Sequence, residues 1–288
     1  MREPTWWYAP SPGVVGQFLE PAALLWGRLA QRRFAFDAAD ASTSRWAIPI
    51  RLRQGLGPDA LSDSVLLDGD EVRLPAIGGP VVVNDGGHGF FRVSYSDELR
   101  TLLAAEAVDE MTTLERYNLV DDAWNAVVAG DLDATEYLQL VERFLDEREY
   151  GVWQSIAAGL RSIGRLVAGD EVAEARLAAS VVALAGPALA DLGEPAANEP
   201  ELRAKLRGLL LGLIAVLGRD ADARTRARRY YERWVSDATS VDAELAATST
   251  LVIAATGDAA DYEAMFDRAM HGGTPQEQLR HLYALAEF

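Results

Sequence analysis

The chain contains no cysteine and only three histidines, His88, His271 and His281. The absence of cysteine excludes disulfide bridges and thiolate metal sites, and it fits a reducing compartment. None of the histidines belongs to an H-E-x-x-H helix, in which two imidazoles on one helix face bind zinc. Since the helix-breaking residues 272–275 separate the last two, the sequence predicts turn and surface roles for all three histidines.

Basic charge and long hydrophobic runs are also scarce. The chain has 27 basic and 44 acidic residues, a net charge of −17, which disfavours nucleic-acid binding because phosphate would be repelled over most of the surface. The apolar runs at residues 177–190 and 208–218 fall short of the roughly 20 residues that a membrane span needs. The first residues lack a signal-peptide pattern. We therefore expect a cytoplasmic protein with no nucleic-acid or membrane partner.

The motifs of nucleophilic and phosphate chemistry are missing too. There is no Cys–His pair and no G-x-S-x-G elbow. Residues 86–89, GGHG, lack the P-loop pattern and precede a predicted strand, so they are interpreted as a glycine-rich hairpin turn. The neighbouring carboxylates Asp121 and Asp122 are expected to diverge on a helix and not to form a catalytic pair.

Residues 1–95 are predicted to be rich in β-strands. The predicted strands cover residues 29–36, 46–53, 64–67, 71–74 and 79–83. In the second strand Ile48, Ile50 and Leu52 share one face, and Pro49 favours an edge strand or a bulge. Several short strands separated by turn residues indicate a small β-sandwich.

Residues 96–288 are predicted to be helical. Thr112 and Glu115 form a capping box, and Pro275 after Thr274 suits the first position of a helix. The expected helix-terminating glycines are Gly130, Gly169, Gly193, Gly218 and Gly257. These signals divide the region into about ten helices with short connections, so neighbours are antiparallel. The predicted fold class is mixed and mainly α, with a small sandwich followed by a HEAT-like repeat array, an α-α superhelix.

One group of helical side chains is a candidate for binding, and a second group is assigned to the core. The one basic cluster consists of Arg224, Arg226, Arg228 and Arg229. It is interpreted as a solvated face paired with acidic residues of the same helix, and Arg224 and Arg228 are the candidates for holding a peptide carboxylate. The helical tryptophans, which are predicted to be core residues, are Trp124, Trp153 and Trp234.

Three stretches resemble the C-terminal region of M1-family zinc aminopeptidases. They are QRRF (31–34) with WAIPI (46–50), the strand from Val83-Asn84 to GFFRVSY (89–95), and Glu115-Arg116 with Asp121-Asp122-Ala123, followed by YGVW (150–153). We call the positions that carry the family pattern the signature residues, and we expect them to be structural. They are Asn84, Gly89, Phe90, Arg92, Tyr95, Arg116, Asp121 and Trp153.

The resemblance implies a β-sandwich domain over residues 1–95 and an ERAP1-like helical domain, truncated in this chain, over residues 96–288. It implies a parent metallopeptidase that uses zinc to release N-terminal amino acids from peptides. Zinc and the catalytic residues would lie in a missing domain, with no metal or cofactor in this chain, which is expected to be inactive alone. The chain would form the wall and lid of the peptide cavity. Its expected partners are the catalytic domain, peptide and a second copy through an exposed interface.

The alternative hypothesis is a stand-alone helical-repeat scaffold that binds a partner protein along its groove. A polar, capped N-terminal end would favour the scaffold, whereas an exposed apolar patch there would favour a lost intramolecular interface.

Overall fold

The computed structural model describes residues 12–17, 27–35, 44–74, 79–196 and 198–288. The chain divides into two compact units, Met1–Phe144 and Leu145–Phe288. The described residues combine a few short strands with ten α-helices, so the predicted mixed, mainly α fold class is confirmed. The parts of the predicted β-rich region at residues 1–11, 18–26, 36–43 and 75–78 lie outside the described residues.

The first unit contains two small sheets. The strands are β1 Pro12–Gln17, β2 Gly27–Arg33, β3 Ile48–Gln54, β4 Leu61–Leu67, β5 Glu71–Leu74, β6 Val81–Val83 and β7 Arg92–Ser94. One sheet has the order β5-β2-β1-β7 and the other the order β4-β3-β6. All pairs are antiparallel except β1 with β7. The buried amide of Gln31 on β2 donates 2.8 Å to the Trp46 carbonyl, which joins the first sheet to the segment that enters the second.

Pro49 lies in a central strand, so the prediction of an edge strand is wrong. β3 pairs with β4 along its whole length, but β6 reaches only Leu52, Arg53 and Gln54. The carbonyl of Arg51 accepts from the Asn84 amide on the β6 side, and Pro49 faces the same side two residues earlier. Proline has no amide hydrogen to donate, and β6 does not extend far enough to accept a hydrogen bond at Pro49. The proline therefore breaks no hydrogen bond between β3 and β6. The shared apolar face is confirmed, since its three predicted members are all buried.

The glycine-rich segment is not a hairpin turn, in contrast to the prediction. It begins in a 3-10 turn, Asp85–Gly87, and connects β6 of one sheet to β7 of the other. The chain crosses between sheets here because β7 pairs in parallel with β1 and not with β6.

Three helices complete the first unit. They are α1 Asp97–Leu102, α2 Thr113–Val128 and α3 Ala134–Val141, with a π-helical turn Leu103–Ala107 and a 3-10 turn Val108–Glu110 between the first two. The capping box of Thr112 and Glu115 at the start of α2 is confirmed. α2 packs against β7 and against the 3-10 turn Asp85–Gly87 that lies between β6 and β7, so this helix and the strands share one core.

The second unit is built from seven helices among its described residues. They are α4 Tyr150–Leu166, α5 Glu171–Leu192, α6 Glu201–Val216, α7 Ala221–Ser236, α8 Ala243–Thr256, α9 Ala259–His271 and α10 Pro275–Ala284. α6 contacts α4, α5, α7 and α8, because its apolar side chains extend around most of its circumference. A short 3-10 turn, Leu285–Glu287, follows α10.

A buried ion pair fixes the end of α5. Arg207 on α6 is 1% exposed and makes a two-pronged contact with the Glu199 carboxylate. The same guanidinium donates 2.9 Å to the Gly193 carbonyl and 3.1 Å to the Leu192 carbonyl. It therefore satisfies carbonyls that the helix end leaves without an intrahelical partner.

The glycines that follow the helices differ from one another in backbone conformation. Gly130 and Gly169 have φ of +77° and +91°, as the prediction requires. Gly257 is extended at φ −81°, and a Cβ built on it would lie 2.5 Å from the Ile253 carbonyl oxygen. Gly218 likewise has no positive φ, and a Cβ on it would lie 2.5 Å from the Ile214 carbonyl oxygen. At Gly218 and Gly257 the absence of a Cβ is therefore required by close packing and not by a left-handed backbone, which corrects the prediction.

α5 is longer than the apolar run that marked it. It has 22 residues and a mean hydropathy of 1.4 over its most apolar window, so by length and composition it passes the test for a membrane span. A core helix of a soluble protein passes the same test, and the buried residues of α5 include Leu177, Val181 and Leu184.

Candidate functional site

The signature residues Asn84 and Gly89 close the loop between β6 and β7. Asn84 adopts a left-handed backbone with φ +67°, and its side-chain oxygen accepts from the Gly89 amide at 2.6 Å. Its side-chain nitrogen donates to the Gly89 carbonyl at 3.1 Å. A Cβ on Gly89 would lie 2.2 Å from the Phe91 ring, so only glycine fits there.

Glu115 joins this loop to the start of α2. It is 4% exposed, and its Oε2 accepts from the Thr112 amide at 2.8 Å and from Arg53 at 2.9 Å. Its Oε1 accepts from the Gly86 amide at 2.8 Å. The capping box was predictable from sequence, but the bond from Glu115 to Arg53 on β3 was not, because nothing local marks a partner 62 residues away.

Arg92 brings together two carboxylates that were expected to diverge. Its Nη1 lies 2.6 Å from Asp121 Oδ2 and 3.4 Å from Asp122 Oδ1. Asp122 also accepts from the Val93 amide at 2.9 Å. Burial raises the pKa of Asp122 to about 7, against the lowering effect of the Val93 amide and Arg92. Adjacent helical residues converge here because a cation from β7 lies between them.

Tyr95 is buried at the centre of the same junction. Its hydroxyl lies 3.0 Å from the Val83 amide nitrogen and 3.3 Å from the Val83 carbonyl oxygen. Burial raises the pKa of its phenol. The cavity beside it, also lined by Glu115 and Asp122, is about 10 Å³, which is room for one water and not for a peptide.

The remaining signature residues are spread over both units. Arg116 donates to the Met111 carbonyl at 2.7 Å. Trp153 is fully buried and donates from Nε1 to the Glu147 carbonyl at 2.9 Å, while Phe90 is 79% exposed. The structure thus gathers Asn84, Gly89, Arg92, Tyr95 and Asp121 around one junction and leaves Trp153 in the other unit.

The basic cluster on α7 pairs with residues far away in sequence. Arg228 makes two hydrogen bonds with Asp261, at 2.8 and 2.7 Å, and Arg224 donates to the Ala215 carbonyl at 2.8 Å. Arg226 and Arg229 face Glu194 at 3.5 and 4.0 Å. The predicted pairing within one helix is therefore wrong. Binding of a peptide carboxylate by Arg224 or Arg228 stays a prediction.

The three histidines have different environments. His88 and His271 are exposed, but His281 is fully buried, so its predicted surface role is wrong. Its Nε2 lies 3.1 Å from the Tyr231 hydroxyl, and its ring stacks on Trp234 with centroids 5.5 Å apart. Burial lowers the pKa of His281.

The described residues do not fit a zinc site. Across residues 12–17, 27–35, 44–74, 79–196 and 198–288, no three His, Asp or Glu side chains are grouped so that they could hold a metal. A catalytic zinc in a protein generally takes three such ligands. We therefore derive no reaction step from a metal held by these residues.

The comparisons with known proteins agree with the signature residues. The family model of the ERAP1-like C-terminal domain matches residues 80–288. Puromycin-sensitive aminopeptidase of Caenorhabditis elegans is 30% identical over 198 residues, which cover 65% of this chain and 21% of that protein. Aminopeptidase M1-A of Oryza sativa subsp. japonica is 31% identical over 154 residues, 52% of this chain and 17% of the relative.

A third relative, from Thermoplasma volcanium, matches a similar share of the chain. Tricorn protease-interacting factor F2 of Thermoplasma volcanium is 28% identical over 137 residues, which cover 47% of this chain and 16% of that protein. The matched part spans about a fifth of the length of these relatives. The resemblance to the C-terminal region of M1 aminopeptidases is confirmed. Because the family model matches well over half of its residues, the chain belongs to the family of ERAP1-like C-terminal domains.

Proposed function

We propose that this chain is a non-catalytic C-terminal portion of an M1-like metalloaminopeptidase, in which it forms the wall and lid of the peptide-binding cavity. The parent protein would release N-terminal amino acids from peptides in a zinc-dependent reaction. The relatives that are named aminopeptidases support this proposal. The proposal further includes a catalytic domain in the same polypeptide, a HEAT-like arrangement of the helices and a cytoplasmic location.

One observation carries the proposal beyond the family match. The polar signature groups at the junction are engaged in contacts between elements, since Arg92 on β7 pairs with Asp121 on α2 and the Tyr95 hydroxyl contacts Val83 on β6. Side chains committed in this way hold two elements together and are not free to act on a substrate. This supports a structural role for the junction.

The first test is hydrolysis of a panel of fluorogenic aminoacyl amides by the purified chain, with added zinc and metal analysis of the same sample. We expect no turnover and no stoichiometric zinc. Turnover together with about one zinc per chain would contradict the proposal, because a catalytic zinc activates its bound water.

The second test is a chimera. Residues 80–288 replace the matching segment of the Caenorhabditis elegans relative, and the control is the same relative with that segment deleted. We expect the chimera to recover hydrolysis of aminoacyl amides and to show an altered dependence on peptide length. Equal activity and equal length dependence of the chimera and the deletion control would reject the cavity role.

The alternative, a stand-alone scaffold that binds a partner protein, has one observation in its favour. The last helices expose large apolar side chains, among them Phe266 and Met270 on α9 and Tyr283 on α10. Exposed apolar groups that lie together mark interaction surfaces. Failure of the chimera with intact folding would favour this alternative.

A further inference from the structure

A polar cleft of about 140 Å³ lies between the first and third helices of the first unit, away from the junction described above. Each helix, together with the residues that directly follow it, contributes side chains at positions i, i+3, i+4 and i+7, the spacing of one helix face. The α1 side contributes Asp97, Arg100, Thr101 and Ala104, and the α3 side contributes Glu136, Gln139, Leu140 and Arg143. Since about 10–15 Å³ of such volume holds one water, the cleft has room for several waters or for a small organic molecule.

An ion pair holds the two helices together at this cleft. Arg100, whose side chain is 12% exposed, donates to Glu136 Oε1 at 2.6 Å and to Asp97 Oδ1 at 3.0 Å. The other oxygen of Glu136 accepts from the Asp133 amide at 3.1 Å. Both oxygens of Glu136 are therefore engaged, and one guanidinium is neutralised within the protein.

The walls retain unused polar groups. Within the described parts of the chain, Asp97 Oδ2, the Thr101 hydroxyl, the Gln139 amide and the Arg143 guanidinium make no side-chain hydrogen bond or ion pair. Asp97 is 78% exposed, so water and ligands reach its carboxylate. The cleft thus presents one free carboxylate oxygen and one free guanidinium.

The negative and the positive group lie on opposite walls of the cleft. A carboxylate and a hydroxyl lie four residues apart on one wall, at Asp97 and Thr101, and a carboxamide and a guanidinium lie four residues apart on the other, at Gln139 and Arg143. The buried Leu140 is a lining residue without charge. Ala104 belongs to the π-helical turn, and π-helical turns are rare but frequent at functional sites. The small side chain of Ala104 leaves the cleft open.

From this arrangement we infer that the cleft binds a small zwitterion, a free α-amino acid. The ammonium group is bound by Asp97 and Thr101, and the carboxylate is bound by Arg143 and Gln139. An anion alone would meet the Asp97 carboxylate without a compensating contact, and a cation alone would leave Arg143 unpaired. The inference concerns a second site in the first unit and does not depend on the proposed function.

The test is isothermal titration calorimetry of the full chain with L-alanine, L-alaninamide, N-acetyl-L-alanine and inorganic phosphate. L-alaninamide lacks the carboxylate and N-acetyl-L-alanine lacks the ammonium group. We expect saturable binding of L-alanine in the millimolar range, and binding of each blocked derivative weaker by about tenfold or more. Equal or tighter binding of phosphate or N-acetyl-L-alanine would identify an anion site and overturn the inference. No saturable binding of L-alanine up to about 10 mM would also overturn it.

Variants separate binding from folding. Arg143→Gln is expected to weaken L-alanine binding by about tenfold and to leave the weak binding of L-alaninamide unchanged. Asp97→Asn is expected to show the reverse selectivity, with N-acetyl-L-alanine unaffected. The matched control is Arg176→Gln, which removes an exposed guanidinium of α5. An equal effect of the control, or a loss of every ligand in Arg143→Gln with an unchanged circular dichroism spectrum, would contradict the assignment.

Discussion

The hydroxyl of Tyr95 lies within 3.3 Å of both backbone polar groups of Val83, its amide nitrogen at 3.0 Å and its carbonyl oxygen at 3.3 Å. One side chain therefore satisfies a donor and an acceptor of a buried strand residue. Leaving such groups unpaired costs about 1–3 kcal/mol each, because they lose their bonds to water on folding.

We predict that Tyr95→Phe lowers the free energy of unfolding of the first unit by about 2–6 kcal/mol, because two buried groups of Val83 lose their partner. Urea denaturation with hydrogen exchange at β6 measures the change. The matched control is Tyr283→Phe, since Tyr283 is 71% exposed and its hydroxyl is expected to contribute little. A Tyr95→Phe variant as stable as the wild type would mean that water replaces the phenol.

The raised pKa of Asp122 predicts that the stability of the fold depends on pH. The folded protein keeps the Asp122 proton up to about pH 7, whereas an unfolded aspartate loses it near pH 3.8. Between these values the folded state binds more protons, so the free energy of unfolding falls as pH rises and the loss is complete above the folded pKa.

The measurement is the difference in unfolding free energy between wild type and Asp122→Asn as a function of pH. An asparagine oxygen still accepts from the Val93 amide. We expect the wild type to lose about 1–4 kcal/mol relative to the variant between about pH 4 and pH 8. A difference that rises with pH would show that Arg92 keeps Asp122 ionised in the folded state.

The ion pair of Glu199 and Arg207 predicts a large loss of stability when one partner is removed. Glu199→Ala leaves the buried Arg207 charge without its counter-ion, and we expect a loss of about 3–5 kcal/mol in the free energy of unfolding. Glu201→Ala breaks the exposed pair with Lys205 and is expected to cost far less, because both side chains remain solvated when the pair is lost. Chemical denaturation of the two variants compares them directly, and similar costs would contradict the burial argument.

The lowered pKa of His281 predicts that α10 becomes less stable as the pH falls. Burial lowers the pKa of His281, and Arg268 and Arg280 lower it further, against the Glu277 carbonyl and carboxylate. The folded state therefore binds fewer protons than the unfolded state, and stability is lost as pH falls below the ordinary value of 6.5.

Hydrogen exchange of Pro275–Ala284 at about pH 7 and about pH 5 measures this effect. We expect the protection factors, which correct each rate for the intrinsic exchange rate at that pH, to be smaller at the lower pH in the wild type and in His271→Gln, whose substituted histidine is exposed. In His281→Phe this acid-induced loss of protection is expected to disappear, although protection at both pH values is lower because the bond to Tyr231 is lost. Persistence of the full loss in this variant would assign it to other groups.

Much of the fold was predictable because its signals are local. The alternation around Ile50 placed that face in the core, and Thr112 with Glu115 marked the start of α2. Pro49 was misplaced, because the sequence does not show how far a third strand extends. His281 was misplaced because the aromatic side chain that stacks on it, Trp234, lies on another helix.

The sequence by itself determined the apolar face of β3, the helical character of the region after β7, the capping box of α2 and the family resemblance, since periodicity, capping and motif order act over a few residues at a time. The tertiary structure decided which charges meet. Arg92 pairs with Asp121 across 29 residues and Arg228 with Asp261 across 33. It also brought α1 and α3 together to form the polar cleft. Such partners depend on how the elements pack, because a side chain contacts only what the folded backbone brings within a few ångströms.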